Sequence, residues 1–348
     1  MATFRKKIAI DLGTASVLVY YKNRVILQEP SVIAIDKVSK KILAVGREAK
    51  KLLGRTPGNI IAMRPLKDGV ISDFRATEEM LKYFIEKSVK KSLFSPDVLI
   101  CIPSKATQVE KRAVIQASQN AGAHQTYLID EPLAAAIGAG VDISDAAGNL
   151  VIDIGGGTCD IAVISMGKIV VSDSVDIGGD IFDDDIVSFV RERYGILIGY
   201  RSAEKIKIRA SSVDENESIE IRGREMDDGL PMQKYIPIEE IENALKYHID
   251  EIINALRRVL EETPPEIAAD LYERGIILTG GASLTRSLKQ RMESKIQIPV
   301  KIAENPVQCV IKGTGKALIW LDSMNEDQNE IIKAQQHELE KRERLRRR

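Results

Sequence analysis

The residues best placed to do chemistry sit in two phrases of the chain that repeat one pattern. Ile8-Ala9-Ile10-Asp11-Leu12-Gly13-Thr14 leads into Ser16-Val17-Leu18-Val19-Tyr20, and Leu150-Val151-Ile152-Asp153-Ile154-Gly155-Gly156-Gly157-Thr158 leads into Ile161-Ala162-Val163-Ile164-Ser165. Each is an apolar strand ending in an aspartate, then a glycine-containing tip, then a returning apolar strand. Glycine lets such a tip turn sharply and leaves several N–H groups facing one point, a nest suited to phosphate oxygens. The repetition itself points to a duplicated fold.

Other chemistries find less support. No P-loop sequence occurs, and Gly155 to Asp160 fails the dinucleotide pattern because Asp160 stands where its last glycine belongs. Cys101, Cys159 and Cys309 are odd in number and scattered, which argues against a disulfide framework or a cysteine zinc site. His124, His248 and His337 are equally isolated, removing most metal and triad chemistry.

The elements that must hold the two tips can be read around them. Each hairpin continues into a third strand, Arg24 to Gln28 in the first half and Lys168 to Ile177 in the second. Thr107-Gln108-Val109-Glu110 is a capping box opening a helix that ends at Ala121-Gly122. A strand from Tyr127 to Asp130 runs into Glu131-Pro132, with Pro132 in the first turn of a helix to Gly140. That sets Glu131 on a strand-to-helix corner, where side chains commonly face a cleft. In the second half, 239–262 reads as one long amphipathic helix closed by Thr263-Pro264-Pro265. Gly275 to Leu278 reads as a strand, followed by a tight turn at Thr279-Gly280-Gly281-Ala282 and a helix capped near Ser283. Pro306 to Leu321 reads as the last packed helix, and the polar stretch 214–233 as a small subdomain or surface loop.

Length and charge set the outer limits. The 348 residues suit two lobes better than one simple core. No stretch approaches the roughly 20 apolar residues of a membrane helix, and Met1 to Lys7 lead into a strand-like run without a signal-peptide pattern, so a cytoplasmic location is expected. The net charge is −1, yet Lys341, Arg342, Arg344, Arg346, Arg347 and Arg348 face only Glu343 at one end, leaving +5 there and −6 elsewhere. A mildly acidic body argues against broad nucleic-acid binding, while the basic end is a candidate contact for an anionic surface. From Asn325 onward the residues read as a solvated helical or disordered tail.

Taken together and in order, these phrases resemble the MreB family of the actin, Hsp70 and sugar kinase superfamily. Further phrases carry the resemblance: Glu29-Pro30-Ser31-Val32-Ile33-Ala34, Arg64-Pro65 with Asp68-Gly69-Val70-Ile71, Glu131-Pro132 with Ala134-Ala135-Ala136-Ile137-Gly138, and Glu262-Thr263-Pro264-Pro265-Glu266. The resemblance runs to about Leu321 and implies an α/β, actin-like (ribonuclease H-like) duplicated fold. Two lobes would each hold a mixed sheet flanked by helices, with a smaller inserted subdomain. The expected divisions are 1–31 with 75–146 (IA), 32–74 (IB), 147–180 with 250–324 (IIA), 181–249 (IIB) and a basic tail, 325–348.

The resemblance also implies site roles. Asp11, Gly13, Thr14 and Ala15 would form one phosphate loop, and Asp153, Gly155, Gly156, Gly157 and Thr158 the other, closing on ATP from opposite lobes. Asp11 and Asp153 would hold Mg²⁺ through its waters, since Mg²⁺ gives up hydration reluctantly. Glu131 would orient or deprotonate the attacking water, with Thr158 hydrogen-bonding it. Glu204 and Lys207, together with the turn at Gly280, Gly281 and Ala282, would meet base and ribose. Asp130, Ser16, Cys159, Asp160 and Ala282 depart from the residues usual in the family, and Ser16 and Cys159 adjoin the phosphate tips.

The family implies filaments of the chain itself, anionic membrane lipids and membrane proteins of the shape-determining machinery as partners, with no nucleic acid. Its place would be peripheral, on the inner face of the cell membrane. Leu93 and Phe94 match the membrane loop, worth at most roughly 3 to 6 kcal/mol on transfer to lipid. The basic tail adds at most about 1 kcal/mol per net charge. A soluble kinase of the superfamily would need an acceptor pocket with a catalytic aspartate, for which no motif is found. A chaperone-like ATPase would need a linker and a peptide-binding domain after the point where this sequence stops.

Overall fold

The two repeated phrases become the centres of two five-stranded sheets with the same strand order and the same strand senses. In a computed structural model that describes residues 5–54, 58–89, 94–214 and 216–321, the first sheet runs Gln125–Asp130, Asp97–Ile102, Lys7–Leu12, Ser16–Tyr21, Arg24–Pro30. Its first three strands are parallel and the last two antiparallel. The second sheet repeats this with Val300–Ile302, Ile276–Thr279, Asn149–Ile154, Cys159–Ser165 and Lys168–Val175. Parallel neighbours need a crossover. Helix Gln108–Asn120 supplies it in the first sheet, opened by the expected capping box at Thr107 and Glu110, and Arg286–Ile296 supplies it in the second. Strands Asp97–Ile102, Asn149–Ile154 and Cys159–Ser165 are buried along their whole length, which is why their middles read as apolar runs with polar residues mostly near the ends.

Each lobe carries an insertion. In the first, Ile33–Asp36 pairs with Ile42–Val45 and Ile60–Met63, beside the short helix Arg47–Leu52. In the second, helices Gly179–Tyr194, Tyr200–Ala210 and Ile238–Ala244 accompany the hairpin Ser218–Glu225 and Pro231–Pro237.

The apolar core has three main parts. One fills each lobe, around Phe84 in the first and Phe182 in the second. The third lies between the sheets and joins Leu99 and Tyr127 of one to Val151 and Ala162 of the other. Two helices, Glu131–Ala139 and Cys309–Ala317, run through that middle layer. They cross with backbones in contact: a Cβ on Gly138 would lie 1.8 Å from the Cys309 carbonyl oxygen, and one on Gly313 1.7 Å from that of Ala134. Only glycine permits this approach.

Several sequence expectations are corrected. The helix expected over 239–262 is two, Ile238–Ala244 and Lys246–Glu262, because the Leu245 N–H turns back to the Glu242 carbonyl three residues earlier and breaks the α pattern. Ser283 does not cap a helix; its hydroxyl donates to the Gly280 carbonyl inside a 3₁₀ turn, and the following helix starts after Thr285. The last packed helix is α-helical only over Cys309–Ala317, between two 3₁₀ turns. The polar stretch 214–233, expected as a small subdomain or surface loop, lies largely in the second-lobe hairpin; what the sequence reading did not expect is that Ile219 and Ile221 are buried there, their period-two alternation masked by a charged outer face. Leu93 and the basic residues Lys341 to Arg348 lie outside the described residues. Phe94 is half exposed, with the Arg5 guanidinium 5.8 Å over its ring.

Candidate functional site: a two-lobed phosphate cleft

The two hairpin tips close in the same way and meet face to face. In the first, the Gly13 N–H donates to the Ser16 carbonyl at 3.1 Å; in the second, the Gly155 N–H donates to the Thr158 carbonyl at 2.9 Å. A Cβ on Gly156 would lie 2.5 Å from Ala15 Cβ, and one on Gly157 2.7 Å from Thr14 Oγ1. The bare glycine backbone is what brings the tips together. Thr14 Oγ1 also accepts the Gly69 N–H at 2.9 Å, tying the first tip to the 68–69 turn. The second tip is held from behind by helix Gly179–Tyr194, whose Gly179 and Asp180 N–H groups donate to the carbonyls of Gly155 and Gly156.

Every phosphate-loop, catalytic, base and ribose residue expected from the sequence lines one cleft of about 610 Å³. Asp11 and Asp153 stand on its floor, on strands from opposite lobes. Thr279 Oγ1 donates to Asp153 at 2.6 Å, and the Cys101 thiol donates to Asp11 at 3.3 Å. Glu131 opens its helix, with Pro132 following in the first turn. Thr158 is buried beside the tip it closes.

The electrostatics of the floor are one-sided. Burial raises the Asp11 carboxyl to about 6 against the Cys101 hydrogen bond. Asp153 rises to about 7, mainly by burial, with Asp11 and Asp160 pushing the same way against Thr279. Glu131 is held well above the ordinary carboxylate range, first by burial and then by Asp160, Asp11, Asp153 and Asp130. Asp160 is fully buried; Ser104 donates to its Oδ1 through the backbone N–H at 2.9 Å and the hydroxyl at 3.1 Å. Its Oδ2 has no donor in hydrogen-bonding geometry, although the Thr158 and Ser174 hydroxyls stand near enough to favour its charged form. Among the described residues no ion pair reaches Asp11, Glu131, Asp153 or Asp160. Uncompensated buried carboxylates are costly, which is why these groups hold their protons more tightly than exposed carboxyls do.

Glu204 and Lys207 reach the cleft but do not pair with each other. Glu204 binds Lys50 of the first-lobe insertion at 2.8 Å, and Lys207 binds Asp183 at 2.8 Å and the Gly179 carbonyl. Gly280 has φ +80°, and a Cβ there would lie 2.2 Å from the Ile154 carbonyl oxygen, so packing against the second sheet already demands glycine. The sequence reading missed Lys50, Asp180 and Asp183 at the cleft mouth, Arg64 paired to Asp180, and Cys101 behind Asp11 of the floor. Their partners lie 90 or more residues away in most cases, and no local pattern marks them. On the far side of the Lys50–Glu204 pair a second cavity of about 840 Å³ reaches Thr14 and Gly157 from the opposite direction.

Comparison with known proteins agrees with this architecture. A family model described as MreB/Mbl protein matches residues 5–326. The chain is 50% identical over 327 residues to the cell shape-determining protein Mbl of Bacillus subtilis (strain 168), covering 92% of this chain and 97% of that one. It is 49% identical over 329 residues to the cell shape-determining protein MreB of Escherichia coli (strain K12), covering 92% and 95%. Among solved structures, MreB5 of Spiroplasma citri bound to AMPPNP superposes with a TM-score of 0.86 at 37% identity, over 94% of this chain and 99% of that one. The same protein bound to ADP gives 0.87. A MamK double helical filament shares the fold at 20% identity, with a TM-score of 0.77 over 90% and 98%. Two sheets of one topology, two apposed glycine tips and these relatives give one conclusion: the chain belongs to the MreB/Mbl family of actin-like proteins.

Proposed function

We propose that this chain binds Mg-ATP between its two hairpin tips, hydrolyses it slowly, and polymerises along the inner face of the cytoplasmic membrane, contributing to cell shape. The observation that carries the reading is the pair of glycine tips in contact above Asp11, Glu131 and Asp153, with no basic side chain among the described residues paired to any of the three. N–H groups from both tips converge on phosphate oxygens, and Mg²⁺ supplies the positive charge that the floor lacks. Asp11 and Asp153 would hold the hydrated ion from opposite lobes. Glu131 has a raised proton affinity, which suits a group that accepts a proton from water as the γ-phosphate leaves. Thr158 positions the same water. Glu204, Lys207 and the Gly280 to Ala282 turn meet the base and ribose. The AMPPNP and ADP bound by MreB5 support a nucleotide in this fold.

Among the described residues no helix is long and apolar enough to cross a membrane. Attachment is assigned to Leu93, Phe94 and the basic end Lys341 to Arg348, each weak singly and additive across a filament. Sedimentation with ATP, with ADP and without nucleotide, each with and without anionic liposomes, tests assembly: pelleting with ATP is expected, and protein that stays in the supernatant throughout refutes it. Glu131→Ala is expected to retain ATP while slowing phosphate release by about a hundredfold or more; release at the parent rate removes Glu131 from its role.

A further inference from the structure

The phosphate chemistry leaves unused the Cys101 thiol, which donates to Asp11 beneath the cleft floor. Parallel pairing sets Cys101 directly beside Asp11, and Ile129 is its partner on the other side, so Glu131, two residues on, reaches the same point. One donor atom from each of Asp11, Cys101 and Glu131 lies within 4.8 Å of the other two. Cys101 is 2% exposed, and its thiol faces the Asp11 carboxylate rather than apolar side chains alone. A separate observation adds buried negative charge next to this group. Asp160 is the cross-strand partner of Asp153, is fully buried, bears on Glu131, and keeps one oxygen without a donor.

The donor types decide which cation. Carboxylate oxygens alone suit magnesium, whereas a thiolate among them shifts the preference toward zinc-like ions. Zinc–sulfur bonds of about 2.3 Å and zinc–oxygen bonds of about 2.0–2.2 Å put tetrahedral donors roughly 3.5 Å apart, so atoms already within 4.8 Å need to close by little more than about 1 Å. Isolated spacing along the chain gave no hint of this, because its three members come from a strand end, a neighbouring strand and a helix start.

We propose that Asp11, Cys101 and Glu131 form a site for a thiophilic divalent cation of the zinc class, separate from the hydrated magnesium position between Asp11 and Asp153. Three protein ligands leave a fourth position for water or a phosphate oxygen. On binding, the Cys101 S–H bond breaks, its proton leaves to solvent, and the thiolate sulfur bonds the metal. An ion there takes Asp11 from magnesium and Glu131 from the attacking water, so it arrests hydrolysis. That consequence rests on the proposed function; the binding does not.

The test uses the full chain without nucleotide, titrated with Cd²⁺ as the spectroscopic probe. A cadmium–thiolate charge-transfer absorption in the ultraviolet is expected to saturate at one equivalent and to be displaced by Zn²⁺. It should persist in the Cys159→Ser/Cys309→Ser double variant, vanish in Cys101→Ser, and require about tenfold or more Cd²⁺ in Glu131→Gln. Absorption that survives Cys101→Ser, or none in the parent, overturns the site. Should Cys101→Ser fail to fold by circular dichroism, the double variant decides: with Cys101 as sole thiol, a one-equivalent band supports the site and its absence overturns it. ATP enters none of these measurements, so failure here and failure of the nucleotide reading are distinguishable.

Discussion

The lobes touch in two very different ways. Where helices Glu131–Ala139 and Cys309–Ala317 cross, contact is backbone on backbone and without room for a methyl group. At the cleft mouth, Lys50 meets Glu204 and Arg64 meets Asp180 through side chains about 30% exposed. A close-packed contact has one good geometry and resists displacement. A partly hydrated ion pair on flexible stems gives way for little free energy and is screened by salt. The lobes are therefore fixed at the crossing and adjustable at the mouth, and the carboxylate floor lies between these two contacts.

Three experiments can break or sharpen that contrast. The largest effect belongs to Gly313→Ala, whose Cβ would lie 1.7 Å from the Ala134 carbonyl oxygen. Denaturant unfolding should show a loss of about 3 kcal/mol or more, or no folded protein. A loss under about 1 kcal/mol would mean that the crossing has slack, and the fixed end would lose its basis.

The floor should respond next, and with a definite pH dependence. A carboxyl whose proton affinity rises on folding makes the native state the better proton binder. Its contribution is therefore full below about pH 4 and is lost as pH rises through its folded value, about 6 for Asp11 and about 7 for Asp153. In metal-free, nucleotide-free protein at pH 8, Asp153→Asn should raise unfolding stability by on the order of 2 to 4 kcal/mol. Asp11→Asn should do so by less. Added Mg-ATP should reverse the order, stabilising the parent more than either variant. Variants no more stable than the parent at pH 8 would remove the cation demand of the floor.

The smallest effect is expected at the mouth. Lys50→Ala should cost under about 1 kcal/mol at low salt and less at high salt. A loss as large as that of Gly313→Ala would place the rigid contact at the wrong end.

Much of this was legible before any coordinates. The Asp-Gly-Thr repeat foretold two like sheets because strand alternation and turn chemistry are local, and duplication doubles the signal. The capping box at Thr107 and the Pro132 helix start were legible for the same reason. Local patterns misled where two explanations share one periodicity. The stretch 239–262 keeps its apolar spacing across the break at Leu245, and the hairpin within 214–233 hides its buried isoleucines under charge. Glu204 and Lys207 were expected at base and ribose and do line the cleft, yet their ion partners, Lys50 and Asp183, are ones that their spacing does not encode.

The sequence by itself determined the two hairpins, the glycines at their tips and the aspartates beside them, since those follow from backbone sterics within a few residues. Only the tertiary structure decided that the tips meet, that Cys101 lies against Asp11, and that Gly138 and Gly313 mark the crossing of two helices. These are contacts between segments tens to hundreds of residues apart. They are fixed by how two sheets bury their faces against shared helices, and no short window of sequence contains that information.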